Sequence, residues 1–431
     1  MKSKWVVIIS FLVILLLALP LLTACNCDDN DNGGNGSNGD NGVTPTNGGE
    51  VGPEITITIG AIMDLTGVAA AGMDKILTAT EDLAEYYNDE NLIPGVTLEV
   101  KHYDNEYDPA KDVPGYNRLK SQGADVIFGP VSSTAIVLKP LCEQDKIVMF
   151  TVAPNLESFV PPGWVFAAGQ TAVDWEIQSL LKWIADKDWD WETKGPAKIG
   201  AAMWKESYGE GCINGLKAYC KAHPEQFELV EVFLTNMKFS WSTEVEALSD
   251  CDYLLPPVPM NQFAKEYAQQ GYETNYIGTD AHLAFLDMIT QQELWPALDK
   301  MLLIKVAQWW TDSGEVIDMT EEMLQRYHPG KEQEIKEAGI AYLASQQLYV
   351  MYELIRDTVE RYGTENFSSE FLYKNAQNFS ITVDGCPHSY APDKRTSNDK
   401  LSVYRIDGSA PTVLEKMYRA DPDWIPIVYE P

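Results

Sequence analysis

Short apolar runs alternate with amphipathic stretches along most of the chain. The first runs predict strands at residues 55–63, 97–103, 125–128 and 147–150, with an amphipathic helix at 75–88 between the first two. The runs at 125–128 and 147–150 are short and continuous rather than alternating, which is typical of parallel strands that are buried on both faces. The pattern therefore predicts an α/β fold in which helices cover a parallel sheet.

The same pattern begins again after the Pro-Pro-Gly sequence at 161–163. The predicted strands of this second series lie at 197–203, 229–234, 253–255, 275–278 and 302–307, and the predicted helices lie near 175–184, 243–248 and 261–270, with one more that ends near 222. A longer amphipathic segment predicts a helix at about 336–362. Because a body of this length exceeds one ordinary core, we expect two doubly wound halves, with the chain returning to the first.

The first 24 residues have the composition of a secretory signal. Lys2 and Lys4 precede an apolar run at 5–22, and small residues stand directly before Cys25. This order predicts cleavage before Cys25, and the sequence LTAC at 22–25 resembles a bacterial lipobox, which implies lipid on Cys25. The alternative is an uncleaved membrane anchor, because the run is nearly long enough to span a bilayer. Both interpretations place the body outside the cytoplasmic membrane.

Polar composition and charge limit the partners of the chain. Residues 25–54 are rich in Asn, Asp and Gly, so we predict a flexible tether that follows the lipid-bearing Cys25. The whole sequence has a formal net charge of −32. This charge argues against nucleic acid and against an anionic membrane surface as partners.

The cysteines predict neither a metal site nor another cofactor. Two of the seven, Cys25 and Cys27, precede the body, and the other five are scattered along it. The sequence has no CxxC pair, no Cys/His ligand spacing and no spaced loop of oxygen ligands for calcium. An exported compartment permits disulfides, but five cysteines cannot all pair, so the disulfide state stays open.

Hydroxyl and amide side chains follow two neighbouring predicted strands. Ser132, Ser133 and Thr134 come after the strand at 125–128, and Asn155 comes shortly after the strand at 147–150. Ligands of open α/β sheets bind beyond the carboxyl ends of the strands, and a helix N-terminus with hydroxyls suits a carboxylate. We therefore expect a ligand site here, although the three hydroxyls could instead only cap the following helix.

Six pieces of the body resemble the branched-chain amino-acid receptor family of ABC importers, within the type I periplasmic binding proteins. They are IGAIMDLTG (59–67), YDNEYDPAKD (103–112), GADVIFGPVSST (123–134), IVMFTVAPN (147–155), YGEG (208–211) and YIGTD (276–280). Their order and spacing are specific, and they extend through most of residues 55–280.

The resemblance implies two Rossmann-like lobes with a ligand cleft between them, joined by three crossover strands. Transferred to this chain, the crossovers lie near Gly169, Val306 and Val383–Gly385. The first lobe would then comprise 55–169 and 307–384, and the second lobe would comprise 170–306 and 385–431.

The resemblance also implies which residues bind the ligand. Ser132 and Ser133 of the first loop, and the turn from Ala153 to Asn155, would hold the carboxylate and amino group of an amino acid. Tyr208 would close over the ligand from the second lobe. Asp280 would pair with the ammonium group, because a desolvated zwitterion needs donors at one end and a carboxylate at the other. A turn or capping role for Asp280 is the alternative.

The sequence departs from the family at the expected side-chain pocket. Asn155 replaces a usual threonine, Ala71-Gly72 replaces an aromatic residue, and the sequence LPPVP at 255–259 replaces a stretch that bears a tyrosine. Leucine, isoleucine and valine are therefore not assured as ligands. Trp309 could supply a new aromatic wall, and further candidates for this role are Trp164, Trp175 and Trp204, although aromatic residues more often belong to the core.

The function implied by the resemblance is that of a lipid-anchored substrate-binding subunit of an ABC importer. Its ligand would be an amino acid or a related amide or carboxylate, its protein partners a permease and an ATPase, and its expected state a monomer. A ligand sensor with the same clamp stays open as the alternative. An exported enzyme is disfavoured, because the chain has no GxSxG, HExxH or GxxxxGK[ST] motif. His282 could approach the cleft or could be a solvated loop residue.

Overall fold

The computed structural model describes residues 54–431. The predicted signal peptide, Cys25 and nearly all of the predicted tether lie outside the described residues. Among the helices of the described part, none is both long enough and apolar enough to span a membrane.

The chain begins with an alternation of strands and helices. In order, its elements are β1 (Ile55–Met63), α1 (Ala70–Asp89), β2 (Val96–Asp104), α2 (Asp112–Ser121), β3 (Val126–Phe128), α3 (Ser132–Asp145), β4 (Val148–Thr151) and β5 (Val165–Ala167). The five strands form one parallel sheet in the order β2-β1-β3-β4-β5. Every residue of β1 from Ile57 to Met63 is buried, as expected for a strand in the interior of such a sheet.

A second alternation follows. Its elements are α4 (Val173–Trp183), α5 (Trp191–Lys194), β6 (Ala197–Trp204), α6 (Ser207–Ala222), β7 (Phe227–Thr235), α7 (Ser242–Ala247), β8 (Tyr253–Leu255), α8 (Asn261–Gln269), β9 (Asn275–Thr279), α9 (Leu286–Gln291) and β10 (Leu302–Lys305). These strands form the parallel part of a second sheet, in the order β10-β9-β8-β6-β7.

The last part of the chain contributes to both halves. Its elements are α10 (Glu315–Tyr327), α11 (Glu332–Glu337), α12 (Ala344–Tyr362), α13 (Ser369–Ala376), β11 (Ser380–Val383), β12 (Cys386–Ser389), β13 (Lys400–Ile406), β14 (Met417–Arg419) and β15 (Ile425–Pro426). Helices α12 and α13 pack into the core of the first sheet. Strand β13 joins the second sheet antiparallel to β10, and β14 and β15 pair with β13. The two-lobe α/β architecture expected from the sequence is therefore confirmed.

The long helix predicted at 336–362 is wrong at its start. The chain ends α11 at Glu337 and begins α12 only at Ala344. Between them Gly339 has φ +122°, and a Cβ atom there would lie 2.0 Å from the carbonyl oxygen of Leu283. This backbone conformation favours glycine and interrupts the helix.

The third crossing between the lobes lies later than residues 383–385. Strands β11 and β12 form an antiparallel hairpin whose turn is Asp384-Gly385, both with positive φ. The chain returns to the second lobe beyond this hairpin, where the N–H of Ser397 donates to the carbonyl of Gln170 at 3.0 Å. The return segment therefore runs beside the first crossing segment before it enters β13.

Candidate ligand-binding site

A cavity of about 130 Å³ lies between the carboxyl ends of the two sheets. The first lobe contributes residues that follow β1, β3 and β4: Val68, Ala69, Pro130, Val131, Ser132, Val152 and Ala153. The second lobe contributes residues at the ends of β6, β8 and β9: Met203, Trp204, Glu206, Tyr208, Val258, Pro259, Asp280 and Ala281. In both sheets the first strand lies between the two that follow it, β1 between β2 and β3 and β6 between β7 and β8, and such a switch point is where open α/β sheets bind ligands.

Most of the cavity wall is apolar. Helix α1 adds Gly72, Met73 and Ile76, the segment that leads into α12 adds Ile340, Ala341, Ala344 and Gln347, and the second lobe adds Ala284 and Phe285. Among the described residues, those that line the cavity include no Lys, Arg or His. The cavity therefore suits a ligand with a small apolar body and few polar groups.

Ser132 begins α3 at the cavity wall, and it does not cap the helix. The N-cap residue is Val131, which makes no side-chain capping bond. Ser132 Oγ instead donates to Glu206 Oε2 of the second lobe at 3.3 Å, and Thr134 Oγ1 donates to Asp112 Oδ1 at 3.1 Å. The N–H groups of Ser132 and Ser133 have no acceptor within the helix and can serve an anion, whereas that of Thr134 donates to the Val131 carbonyl at 3.0 Å. Ser133 does not line the cavity.

The two site residues predicted in the turn after β4 have different roles. Ala153 lines the cavity, has φ +52°, and donates its N–H to Gln170 Oε1. Asn155 is buried outside the cavity wall, where its Nδ2 donates to the carbonyl of Ser207 at 3.0 Å. Asn155 therefore ties the first lobe to the start of α6.

Tyr208 lines the cavity from the first turn of α6. Its hydroxyl forms a hydrogen bond of 2.6 Å with Thr279 Oγ1, at the end of β9. This bond connects the turns that follow β6 and β9. It fixes the phenol ring against the cavity.

Asp280 reaches the cavity wall but already has a cationic partner. Its Oδ1 accepts from Lys305 Nζ at 2.6 Å, and its Oδ2 accepts from the N–H of Val306 at 3.0 Å. The Lys305 side chain is fully buried and that of Asp280 is 9% exposed. Burial lowers the pKa of Lys305, and the adjacent Asp280 carboxylate opposes this shift. Asp280 is thus half of a buried ion pair.

A second acid lies behind this ion pair. Glu176 on α4 is 3% exposed, and its Oε1 has no hydrogen-bond partner among the described residues. Burial raises the pKa of Glu176 well above its usual range, and the nearby charge of Asp280 adds to the shift. A neutral Glu176 leaves Lys305 to compensate Asp280 alone.

Trp309 and His282 both lie in the protein interior. Trp309 is fully buried, donates its Nε1–H to the carbonyl of Leu414 at 2.8 Å, and does not line the cavity. Of the other tryptophans considered from the sequence, Trp204 is the one in the wall. His282 is buried, and its Nδ1 accepts the N–H of Thr279 at 3.0 Å. Burial lowers the pKa of His282 to about 4, so the ring is neutral near pH 7.

Sequence reasoning missed four polar residues of the wall, Tyr107, Gln170, Glu206 and Gln347, although Tyr107 lies within the recognised sequence YDNEYDPAKD. Glu206 had a usable signal, because it is an acid in the loop directly after β6, beside the recognised YGEG sequence. Gln170 and Gln347 had none. They reach the cavity because a crossing segment and the start of α12 meet there, where a Cβ atom on Gly169 would lie 2.6 Å from the Cα of Gln347.

Comparisons with known proteins identify relatives of this two-lobe fold. The sequence profile of the family described as "Periplasmic binding protein" matches residues 56–410. The Leu/Ile/Val-binding protein homolog 3 of Brucella melitensis is 25% identical over 168 residues, covering 38% of this chain and 43% of the relative. The aligned region thus spans less than half of that relative's length.

Two solved structures share the fold at low sequence identity. A branched chain amino acid ABC transporter protein from Thermus thermophilus with bound valine has a TM-score of 0.71 and 16% identity, covering 86% of this chain and 96% of that one. A solute binding protein of an ABC transporter from Rhodopseudomonas palustris, in complex with 3,4-dihydroxybenzoic acid, has a TM-score of 0.70 and 14% identity, covering 87% and 99%. Proteins with this fold therefore hold ligands of different chemistry.

Proposed function

Because the chain belongs to the periplasmic binding protein family, we propose that it is the extracytoplasmic substrate-binding subunit of an ABC importer. Its ligand is an amino acid or a similar small molecule, held non-covalently between the two lobes. The observation that carries this proposal is the cavity between the carboxyl ends of both sheets, with walls from both lobes. In this role Cys25 carries the lipid anchor, and a permease with its ATPase receives the loaded monomer.

The chemistry of the wall supports a ligand with an apolar body and a polar head. Apolar side chains form most of the surface, and the polar groups Ser132, Glu206 and Tyr208 lie at one side where α3 and α6 begin. The relatives are named for branched-chain amino acids or contain valine or a dihydroxybenzoate. The wall of this chain favours the amino-acid type, because it supplies carboxylates and no cationic side chain.

Contacts across the cleft support lobe closure as the signal to the transporter. Ser132 Oγ bonds to Glu206, Asn155 Nδ2 bonds to the Ser207 carbonyl, and the N–H of Ile340 donates to the Leu283 carbonyl at 3.0 Å. A ligand that contacts both walls stabilises this closed arrangement relative to an open one. The permease would then recognise the surface that the two closed lobes form together.

The test is a thermal-shift screen of the chain without residues 1–24 and with Cys25→Ser. Amino acids, their deaminated acids, aromatic carboxylates, fatty acids and sugars are tested separately. A ligand at about 100 times its Kd should add about 2.7 kcal/mol to the free energy of unfolding and raise Tm. We expect rises with apolar amino acids. A rise in Tm with sugars alone, or no rise with any class of compound, would contradict the proposal.

A further inference from the structure

The two acids of the cavity wall differ in what neutralises them. Asp280 is paired with Lys305 at 2.6 Å and also accepts two backbone N–H groups, from Val306 and Ala307. To bind an ammonium group, Asp280 would have to share or lose Lys305. Separating the pair would leave a fully buried ammonium without its partner, which is strongly unfavourable.

Glu206 has hydrogen bonds but no cation. Its Oε2 accepts from the N–H of Tyr208 at 2.9 Å and from Ser132 Oγ at 3.3 Å, and its Oε1 accepts from the N–H of Gly209 at 2.6 Å. All three donors are neutral, and no Lys, Arg or His of the described residues forms a salt bridge with Glu206. A carboxylate offers about four acceptor positions, so one position on Oε1 stays open.

The surroundings of Glu206 favour a cation at that position. Burial raises the pKa of Glu206 because its charge is poorly solvated, and a positive charge beside it would reverse this penalty. The aromatic side chains of Tyr107 and Trp204 line the same cavity. Glu206 lines this cavity with both rings, and its charge contributes, after burial, to the raised pKa of Tyr107. Aromatic rings beside a carboxylate suit a protonated amine.

We propose that Glu206, and not Asp280, receives the cationic nitrogen of the ligand, so that this chain selects compounds with a protonated amine on a small apolar body. This inference rests on the proposed function, since it assigns the charge recognition of the same cavity. A carboxylate on the ligand, where present, then meets Ser132 and the N-terminus of α3, next to Glu206. The Asp280–Lys305 pair acts as an internally neutral part of the wall.

The experiment measures Kd by calorimetry for two matched sets of probes. The sets are leucine, 3-methylbutan-1-amine and 4-methylpentanoate, and phenylalanine, 2-phenylethylamine and 3-phenylpropanoate. The protein is the chain without residues 1–24 and with Cys25→Ser. The variants are Glu206→Gln, Glu206→Asp, the double variant Asp280→Asn with Lys305→Met, and the control Glu210→Gln, which changes an acid of the same helix turn outside the wall.

We expect the amine-bearing probes of at least one set to bind at least about tenfold more tightly than the deaminated acid. Glu206→Gln should weaken the amine probes by about tenfold or more and abolish the preference, while Glu206→Asp should recover part of it. Glu210→Gln should bind like the unmodified chain. The double variant should keep the preference for the amine, and the Tm of every variant verifies that it is folded.

Two results would overturn the assignment of Glu206 and leave the binding function intact. One is tight binding of the deaminated acids that Glu206→Gln does not change. The other is a preference for amines that Glu206→Gln keeps and the Asp280/Lys305 double variant loses. Binding of none of the six probes would instead contradict the amino-acid-like ligand of the proposed function, and the assignment with it.

Discussion

Two turns of the second lobe, one after β6 and one after β9, each bring an acidic side chain to the cavity. Glu206 in the first turn accepts three neutral donors, whereas Asp280 in the second turn accepts an ammonium and two backbone N–H groups. Both acids lie beyond the carboxyl end of a parallel strand. Their position relative to the sheet is similar, but their electrostatic state is not.

The difference shows that an acid at the expected position can already have a cationic partner within the protein. Lys305 stands at the end of β10, and β10 pairs directly with β9, so the lysine reaches Asp280 from the neighbouring strand. Lys205 directly precedes Glu206 but is exposed, and among the described residues no basic side chain forms a salt bridge with Glu206. A carboxylate that is already paired with a lysine gains less from a cationic ligand than a carboxylate whose donors are all neutral.

Among the variants that test this difference, Lys305→Met should cause the largest loss in the free energy of unfolding. Removing the lysine leaves Asp280 as a buried charge, and breaking such a pair on one side typically destabilises by about 3–5 kcal/mol. Urea denaturation of the variant should show this loss. The double variant with Asp280→Asn should recover most of it, because no unpaired charge is left. A matched Lys182→Met change, in the exposed pair with Asp186, should cost less than about 1 kcal/mol.

Equal losses for Lys305→Met and Lys182→Met would contradict the buried ion pair. A double variant that is as unstable as Lys305→Met would show that the lysine acts through its packing. In that case the contrast between the two turns would not be electrostatic.

The second effect is the acid sensitivity of the turn after β9. His282 accepts the N–H of Thr279 through Nδ1, so its Nε2 carries the proton and donates to the carbonyl of Pro256 at 3.1 Å. Its pKa is about 4 in the folded protein and about 6.5 when unfolded. Between these values the unfolded state binds more protons, so the stability contributed by neutral His282 is present above about pH 6.5 and is lost towards pH 4.

The variant His282→Asn tests this dependence, because the amide oxygen can still accept the Thr279 N–H and does not titrate. Between pH 7 and pH 4 the unmodified chain should lose about 1–3 kcal/mol more stability than the variant. Denaturation at several pH values measures the difference. The difference between the two proteins also cancels the contribution of groups that both contain, such as Asp174. Burial raises the pKa of Asp174 to about 6, so this group changes stability with pH in the opposite direction. Parallel pH curves for the two proteins would refute the role of His282.

The smallest effect concerns the bond that joins the two turns. Tyr208→Phe removes the hydroxyl that bonds to Thr279 Oγ1, and should lower the free energy of unfolding by about 0.5–1.5 kcal/mol. Tyr429→Phe is the matched control, because it removes an exposed hydroxyl bonded to Asp399 and should have less effect. If the bond positions the ring, Tyr208→Phe should also weaken ligand binding. An unchanged stability would mean that the two turns are held independently.

Elements with a clear hydrophobic pattern were predictable from the sequence, and elements that depend on residues with positive φ were not. Nine of the ten strands from β1 to β10 were largely anticipated, and β5 was not. Burial on both faces explains the continuous apolar runs of β3 and β4, whereas β2 and β7 are partly exposed edge strands. The start of α12 was missed because the amphipathic pattern continues through Gly339, whose positive φ depends on contact with Leu283. The hairpin of β11 and β12 was missed because its turn, Asp384-Gly385, lies where a crossover was expected.

The candidate site was predictable where it depends on a strand end. Ser132, Ala153, Tyr208 and Asp280 all line the cavity because each follows a strand at the edge where the two sheets face each other. Ser133, Asn155 and Trp309 do not line it. Side-chain direction separates these groups, and a helix turn or a tight turn changes that direction within one or two residues.

The sequence by itself determined the alternation of strands and helices, the two lobes, and the edge at which a ligand can bind, because these follow from periodicity and from the direction of parallel strands. The tertiary structure alone decided which acid has a lysine as its partner. Lys305 lies 25 residues after Asp280 in the chain but on the adjacent strand, so its charge acts on Asp280 and not on Glu206. Electrostatic pairing depends on distances in space, and at this separation only the strand order brings the two charges together.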